Sequence, residues 1–230
     1  MRDIHGIDVF TSVAEVLDPR HTLVVTIDVQ RDFCSPGGVF DREGRDLSMI
    51  TAMLPRLRAF LAGARAAGVP IVHVQQTALP GGGNDSPAWL YFKTRGGGMP
   101  DYAIDGTDGH GFVPGFEPLE SETVVRKHRS SAFTGTPLAA MLASRGVRTV
   151  VCTGVTTQGC VESTARDALL LDFHPVVVAD AVASTDLATH EASLLVQNAR
   201  YDVVDGATVL EIWQRATGTT GGPRATEAAV

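Results

Sequence analysis

The side chains that could perform chemistry in this sequence stand where short apolar runs end. Asp28 follows the run TLVVTI, Lys127 closes the run TVVRK, and Cys160 comes shortly after TVVCTGV. A carboxylate can take up and return a proton, an ammonium can stabilise negative charge, and a deprotonated thiol can attack an electrophilic carbon. Each residue alone is more often a cap, a solvated charge or a packed thiol, but three complementary groups at such run ends together favour a chemical role.

Cys160 is the best candidate nucleophile among the three cysteines. It directly precedes the amphipathic segment 161–173, and a thiol at a helix N-terminus has its pKa lowered by unpaired N–H groups and the helix dipole. Cys152 lies within an apolar run and Cys34 on the loop after Asp28, so we expect both to pack. Three cysteines are too few and too odd in number for a disulfide framework, which indicates free thiols in a reducing compartment.

Alternating apolar and amphipathic segments predict the elements that position these side chains. Six runs rich in β-branched residues are typical of buried parallel strands: 22–28, 69–75, 123–127, 147–153, 175–179 and 201–204. Helical spacing is present at 47–64, where Pro55 predicts a regular start near residue 54, and at 137–146, 161–173, 187–200 and 207–216. This order predicts an α/β fold, a single-domain six-stranded parallel sheet with helices on both faces.

The predicted sheet gives the three side chains a common location. Ligands bind at the carboxyl ends of the strands in open parallel sheets, and all three residues follow such ends. We assign residues 1–21 to an N-terminal extension, 22–216 to the domain and 217–230 to a disordered tail. The long loop 79–118 carries scattered aromatic residues, so it either contributes to the site or packs on its own domain as a surface flap.

The composition restricts the partners of this chain. Of its 230 residues 44% are hydrophobic and 20% charged, and the formal net charge is −7 with only one short basic run, at 126–129. We therefore expect neither a nucleic-acid nor a membrane partner. The N-terminus lacks the pattern of a secretory signal, and no run approaches the roughly 18 apolar residues of a membrane helix, so we predict a cytoplasmic protein.

Three segments resemble the signature segments of the isochorismatase-like cysteine hydrolases. They are, in order across residues 22–204, TLVVTIDVQRDFCSPGG, VVRKHRSSAF and CTGVTTQGCVESTARDA. That superfamily includes nicotinamidases, N-carbamoylsarcosine amidases, ureidoacrylate amidohydrolases and biuret hydrolases, and the segments look most similar to the branches that hydrolyse ureido compounds. The resemblance implies a Rossmann-like three-layer αβα fold and a homodimer or homotetramer.

The resemblance also implies roles for individual residues. Asp28 would be the general acid and base, Lys127 its electrostatic partner and Cys160 the nucleophile. A cis peptide bond would join Val155 to Thr156, and the N–H groups of Thr156 and Cys160 would form an oxyanion hole.

One departure from the nicotinamidase pattern concerns metal binding. Nicotinamidases carry an Asp-x-His metal site after the second strand, whereas this chain has VHVQQT at 72–77 and no further histidine before His110. We therefore predict no metal and no other cofactor, and we interpret His73 as a core residue or one that supports the site.

Eight further residues near the predicted edge are candidates to bind the substrate. For each, ordinary packing or solvation is an equally good interpretation: Phe33, Gln76, Trp89, Tyr91, His128, Arg129, Phe133 and Gln158. The guanidinium of Arg129 could hold a substrate carboxylate through its two-pronged geometry.

These features predict a cysteine-dependent amidohydrolase. It would cleave a carbon–nitrogen bond of a small amide, ureide or carbamoyl compound through a covalent thioester or thiocarbamate and release ammonia or an amine. One alternative is an isochorismatase-type hydrolase of an enol ether without a covalent step, although the presence of Cys160 favours amide chemistry. A second alternative is a catalytically idle binding or assembly protein.

Overall fold

The computed structural model describes residues 1–218, and residues 219–230 of the predicted tail lie outside the described part. The strands are β1 Arg2–Ile4, β2 Ile7–Val9, β3 Thr22–Ile27, β4 Ile71–Gln76, β5 Thr123–Lys127, β6 Thr149–Val155, β7 His174–Ala183 and β8 Asp202–Val204. The α-helices are α1 Val13–Val16, α2 Arg31–Cys34, α3 Val39–Arg42, α4 Ser48–Ala66, α5 Pro87–Thr94, α6 Leu138–Ser144, α7 Glu162–Leu170, α8 Leu187–Asn198 and α9 Gly206–Thr217. Among these helices of residues 1–218, none is both long and apolar enough to cross a membrane.

Six parallel strands form the central layer in the order β5–β4–β3–β6–β7–β8. Strands β3, β4 and β6 are buried along their whole length, because helices cover both faces of the sheet. Along β3, Val24 belongs to one apolar cluster with residues of α4 and α9, whereas Leu23 and Val25 belong to another with residues of α6 and α7. The predicted six-stranded α/β sheet with helices on both faces is confirmed.

Helix α4 begins earlier than the sequence predicts. It starts at Ser48, not near residue 54, and Pro55 lies inside it. A proline in a helix interior removes one backbone hydrogen bond. Two features nevertheless stabilise the part of the helix before Pro55. The Ser48 N–H donates to the Asp46 carboxylate at 2.8 Å, and the Met53 side chain is fully buried.

The N-terminal extension packs on the domain instead of standing apart from it. Strands β1 and β2 form an antiparallel hairpin, and the ring of Phe10 lies against the ring of His174 in β7, with 5.0 Å between centroids. The indole N–H of Trp213 in α9 donates to the carbonyl of Leu17 at 2.8 Å. Thr217, which the sequence assigns to the tail, is the last residue of α9.

The segment 79–118 lies over the carboxyl edge of the sheet. It contains α5 and two short 3₁₀ turns, Pro80–Gly82 and Arg95–Gly97. Its end is tied to the loop after β3, because the Arg31 N–H donates to the carbonyl of Gly111 at 2.9 Å and the Ala103 N–H donates to the Asp32 carboxylate at 2.7 Å. The segment therefore packs on its own domain, directly above the strand ends that carry Asp28 and Lys127.

Gly154 allows the two central strands to come together at this edge. Its φ is +103°, and a Cβ placed there would lie 2.1 Å from the carbonyl oxygen of Ile27 in β3. The pairing of β6 with β7 also shifts register between Cys152 and Gly154. Only glycine avoids both the positive φ penalty and the clash with the neighbouring backbone.

We expect Gly154→Ala to lower the free energy of unfolding by more than about 2 kcal/mol, because the added methyl group meets rigid backbone as well as an unfavourable φ. Gly146→Ala is the matched control, since φ there is +67° and a Cβ would meet nothing within 4 Å. It should cost about 1 kcal/mol. Urea denaturation of the two variants measures both values, and equal losses would contradict a special role for the close approach of β3 and β6.

Candidate active site

Asp28 stands at the carboxyl end of β3 in an unusual backbone conformation. Its φ is +54°, and its N–H donates to the carbonyl of Val74 at 2.9 Å. One carboxylate oxygen accepts the N–H of Gln76 at 3.0 Å, and the other lies 2.8 Å from the ammonium nitrogen of Lys127. Only 3% of the Asp28 side chain is exposed, so the carboxylate is held in one orientation and shielded from water.

Lys127, at the carboxyl end of β5, joins the parts of the site. Its fully buried ammonium lies 2.8 Å from Asp28 and donates to Gln76 Oε1 at 2.8 Å, to the Arg129 carbonyl at 3.1 Å and to Cys160 Sγ at 3.3 Å. Burial lowers the pKa of Lys127, but the Asp28 carboxylate and the Cys160 sulfur raise it, and the net result is a pKa above the ordinary value. The side chain therefore remains a cation.

Cys160 lies on a single π-helical turn, Thr157–Val161, between β6 and α7. The sequence placed it directly at the start of an α-helix, with a lowered pKa. That expectation is wrong, because α7 begins only at Glu162 and burial raises the pKa of the Cys160 thiol to about 12. The Asp28 carboxylate adds to this rise, and the Lys127 ammonium opposes it. The thiol is thus protonated in the resting protein.

Polar contacts from α7 and α8 hold the π-helical turn. The hydroxyl of Thr157 lies 2.8 Å from Nδ1 of His190, and the Ser193 hydroxyl donates to the Thr157 carbonyl at 3.3 Å. On the other side, the Thr164 hydroxyl donates to the carbonyl of Cys160 at 2.7 Å. Because Thr157 and Thr164 are fully buried, these bonds fix the backbone on both sides of the sulfur.

The backbone before Cys160 takes the conformation that the sequence resemblance implies. The peptide bond between Val155 and Thr156 is cis. The Thr156 carbonyl accepts the N–H groups of Gly159 at 3.0 Å and Val161 at 3.2 Å, so this oxygen is engaged within the turn. Val155, Thr156 and Cys160 all line the same cavity.

A cavity of about 510 Å³ opens above the three central side chains. Asp28 and Cys160 are part of its wall, while Lys127 lies beneath it and is fully buried. Four of the eight candidate substrate-binding residues also line it: Phe33, Gln76, Trp89 and Gln158.

Three of the other candidates lie outside the cavity wall. Tyr91 is on the outer face of α5 and is 72% exposed. Phe133 is buried in the core under the sheet, where its ring stacks on Phe173 at 6.0 Å. His128 turns its ring toward the backbone, with Nδ1 2.7 Å from the carbonyl of Thr77.

Arg129 also lies outside the cavity wall, because its guanidinium is used elsewhere. It donates to the carbonyls of Asn84 at 3.2 Å and His128 at 2.6 Å. The guanidinium carbon lies 5.1 Å from the ring centroid of Trp89, which is itself part of the cavity. Arg129 therefore supports Trp89 and does not face the space where a ligand would bind.

The sequence analysis missed nine residues that line the cavity. Three stand close in the chain to Lys127 or Cys160: Ser130, Gly159 and Ser163. The other six come from the region between β3 and α4 and from the segment 79–118: Phe40, Arg45, Phe92, Lys93, Arg95 and Tyr102. The aromatic content of 79–118 was a usable signal for this segment. Nothing in the sequence distinguished its charged residues from solvated ones, because an irregular loop has no periodicity that assigns a side chain to a face.

A second buried polar cluster lies beside β4 and does not line the cavity. His73 Nε2 is 2.8 Å from Glu122, whose carboxylate also accepts two hydrogen bonds from Arg65 at 2.8 and 3.0 Å. Burial lowers the pKa of His73. Burial raises the pKa of Glu122, but Arg65 and the other donors outweigh it and bring this pKa to about 2. Within residues 1–218, no group of three His, Cys, Asp or Glu side chains could hold a metal ion.

Comparison with known proteins places the chain in a family. Residues 22–206 match the family model described as isochorismatase domain. Ureidoacrylate amidohydrolase RutB from Methylobacterium radiotolerans is 35% identical over 186 residues, which cover 76% of this chain and 69% of that protein.

Two solved structures show the same fold. An isochorismatase family protein from Desulfovibrio vulgaris is 31% identical, with a TM-score of 0.72 over 84% of this chain and 98% of that one. N-carbamoylsarcosine amidase from Thermoplasma acidophilum is 26% identical, with a TM-score of 0.63 over 80% of this chain and 96% of that one. The resemblance found in the sequence is confirmed, and the chain belongs to the isochorismatase-domain family.

Proposed function

We propose that this isochorismatase-family hydrolase cleaves a carbon–nitrogen bond of a small amide, ureide or carbamoyl compound through a covalent bond to Cys160. The observation that carries the proposal is the contact of the Lys127 ammonium with both the Asp28 carboxylate and the Cys160 sulfur at the cavity wall. An acid–base group, a fixed cation and a thiol are the three components that thiol-dependent acyl transfer requires.

The names of related proteins support the choice of bond. One relative is named ureidoacrylate amidohydrolase, and one structural neighbour is named N-carbamoylsarcosine amidase. Both names describe enzymes that act on a carbon–nitrogen bond of a ureido or carbamoyl group. Ureido compounds are therefore the first substrates to test.

The first step in this proposal is the formation of the nucleophile. Because the Cys160 thiol is protonated at rest, Asp28 must take its proton as the sulfur attacks the carbonyl carbon. The fully buried Lys127 ammonium stabilises the negative charge on sulfur. This sequence of events requires no free thiolate in the resting protein.

The second step is stabilisation of the tetrahedral intermediate. We assign the oxyanion hole to the N–H groups of Thr156 and Cys160, two residues that line the cavity. One such donor stabilises the transition state by roughly 3 kcal/mol.

The remaining steps return the enzyme to its starting state. Asp28 gives its proton to the leaving nitrogen, the carbon–nitrogen bond breaks, and ammonia or an amine departs while the acyl or carbamoyl group stays on sulfur. Asp28 then takes a proton from a water molecule, which attacks the thioester or thiocarbamate. Cys160 leaves as the thiol, and an acid or carbamate is released.

The proposal includes association into a homodimer or homotetramer. Leu187 and Leu195 of α8 and Leu170 of α7 are 59%, 74% and 75% exposed. Large exposed apolar side chains on neighbouring elements often mark protein–protein contacts, and a second copy of the chain is the partner that we propose.

Ammonia release across a panel of amides, ureides and carbamoyl amino acids tests the function. We expect at least one substrate to be hydrolysed, and Cys160→Ala to lower kcat/KM by more than about 10³-fold. The control is Cys152→Ala, which removes a buried thiol that does not line the cavity. Near-full activity of Cys160→Ala would remove the cysteine from the mechanism, and silence of folded wild-type protein across the panel would favour a binding protein.

The proton transfer role of Asp28 predicts a selective loss of turnover. Asp28→Asn keeps the shape of the side chain but cannot take a proton, so kcat should fall by about 10²- to 10⁴-fold. Asp101→Asn, which changes an exposed carboxylate outside the cavity wall, should keep the wild-type rate. A pH–rate profile of Asp28→Asn with the height and shape of the wild-type profile would contradict the assignment.

The raised pKa of Cys160 predicts the ionisation state of the resting protein. The difference in ultraviolet thiolate absorbance between wild type and Cys160→Ala should stay close to zero from neutral pH to about pH 9. A group with a pKa raised to about 12 remains protonated throughout this interval. A thiolate signal at neutral pH would show that the Lys127 cation outweighs burial and Asp28.

A further inference from the structure

The charged side chains at the cavity wall differ in whether a counter-ion accompanies them. Four line the cavity: Asp28, Arg45, Lys93 and Arg95. The charge of Asp28 is balanced by Lys127, 2.8 Å away. These two groups add no net charge to the reaction centre.

Two of the three cations at the wall also have close counter-ions. The Lys93 ammonium is 3.0 Å from both oxygens of Asp85, and both side chains are nearly buried. Arg45 donates to the Glu43 carboxylate at 2.6 Å. Neither cation is free to balance the charge of a ligand without giving up an existing ion pair.

Arg95 is different, because within residues 1–218 no carboxylate lies within 4 Å of its guanidinium. The guanidinium contacts the ring of Phe92, whose centroid lies 5.4 Å from the guanidinium carbon. This stacking leaves the edge of the guanidinium, where the N–H donors are, without an acidic partner. Arg95 therefore contributes one uncompensated positive charge to the cavity.

We propose that Arg95 binds a carboxylate of the substrate, so that the preferred substrates are ureido or amido acids with a single negative charge. This inference rests on the proposed function. The scissile carbonyl would lie at Cys160, and the acid group would lie toward the segment 79–118 that carries Arg95. The residue is a specificity determinant and takes no part in the proton transfers.

The side chains of the cavity wall favour a substrate in which a flat spacer joins the carboxylate to the reacting carbonyl group. A guanidinium presents two parallel N–H donors that match the two oxygens of a carboxylate. The same wall includes the rings of Trp89 and Phe92, which stack with 5.0 Å between centroids, and the ring of Tyr102. Aromatic faces of this kind suit a flat, short spacer.

A single negative charge fits the site better than two. Only Arg95 is uncompensated, whereas the Glu43 and Asp85 carboxylates lie beside the cations at the wall and would repel a second negative charge. The same reasoning replaces Arg129 as the candidate anchor, because its N–H groups already donate to backbone carbonyls.

Kinetics with a matched pair of substrates test the proposal. The pair is 3-ureidoacrylate and its methyl ester, which differ in the negative charge. Because Arg95 is exposed, its attraction is partly screened, and Arg95→Gln should lower kcat/KM for the acid by about 10-fold while that for the ester stays within about twofold. Arg95→Lys should lie between the two, since it keeps the charge but loses the two-pronged geometry.

The control variant is Arg56→Gln, which makes the same change in net charge on the exposed side of α4, away from the cavity wall. It should leave both substrates unaffected. Equal losses for the acid and the ester in Arg95→Gln would overturn the proposal, and so would wild-type protein that hydrolyses the ester as well as the acid.

Alkylation of Cys160 separates failure of this proposal from failure of the proposed function. Iodoacetate carries a carboxylate and iodoacetamide does not, and the rates at Cys160 can be followed by mass spectrometry without any turnover. Arg95→Gln should lower the ratio of the iodoacetate rate to the iodoacetamide rate by about 10-fold relative to wild type and Arg56→Gln. An unchanged ratio would overturn the anion site, even if the wild-type protein hydrolyses ureides.

Discussion

The burial of the Lys127 ammonium is the constraint on which the site depends. A charged group without exposure to water is tolerated only when hydrogen bonds and an opposite charge replace its hydration. Lys127 obtains these from Asp28 at the end of β3, from Gln76 at the end of β4, and from the backbone carbonyl of Arg129. An ammonium has three N–H donors, so the Cys160 sulfur competes with these acceptors for the same hydrogens.

The same interaction links the fold to the chemistry. Strands β5, β4 and β3 are neighbours in the sheet; β5 carries the ammonium at its carboxyl end, and Gln76 of β4 and Asp28 after β3 each contact it. The sulfur arrives from the next strand along, β6, which Gly154 allows to approach the backbone of Ile27 closely. A change in the register of either central strand would separate the sulfur from the carboxylate. The strand pairing that stabilises the sheet therefore also sets the distances among Asp28, Lys127 and Cys160.

The part of the site that we propose to select the substrate is built differently. Its rings and cations come largely from the segment 79–118, which is attached to the sheet by backbone bonds at Ala78 and Gly111. Arg129, on the strand side, stacks against Trp89 and so connects this segment to the residues that follow Lys127. The proposed acid–base group and cation thus stand at strand ends and Cys160 on the turn after β6, whereas the proposed recognition groups stand on a long irregular segment that can differ between relatives without disturbing the sheet.

The sequence by itself determined the sheet and the three central side chains. Runs of β-branched residues are typical of buried parallel strands, and the carboxyl ends of such strands meet at one edge, so Asp28, Lys127 and Cys160 were expected together before any coordinates. Helix α4 differs from the prediction, because the sequence placed its regular start near Pro55. Burial of residues such as Met53 outweighs the cost of a proline inside the helix.

Only the tertiary structure determined the ionisation state of Cys160 and which side chains line the cavity. The pKa of a thiol depends on burial and on charges that are distant in the chain, and here Asp28 and burial outweigh the Lys127 cation that opposes them. In the loops, side-chain direction follows from packing and not from a repeat. For this reason the structure places Arg95 at the cavity and Arg129 behind Trp89, a distinction that two similar arginines in a sequence do not reveal.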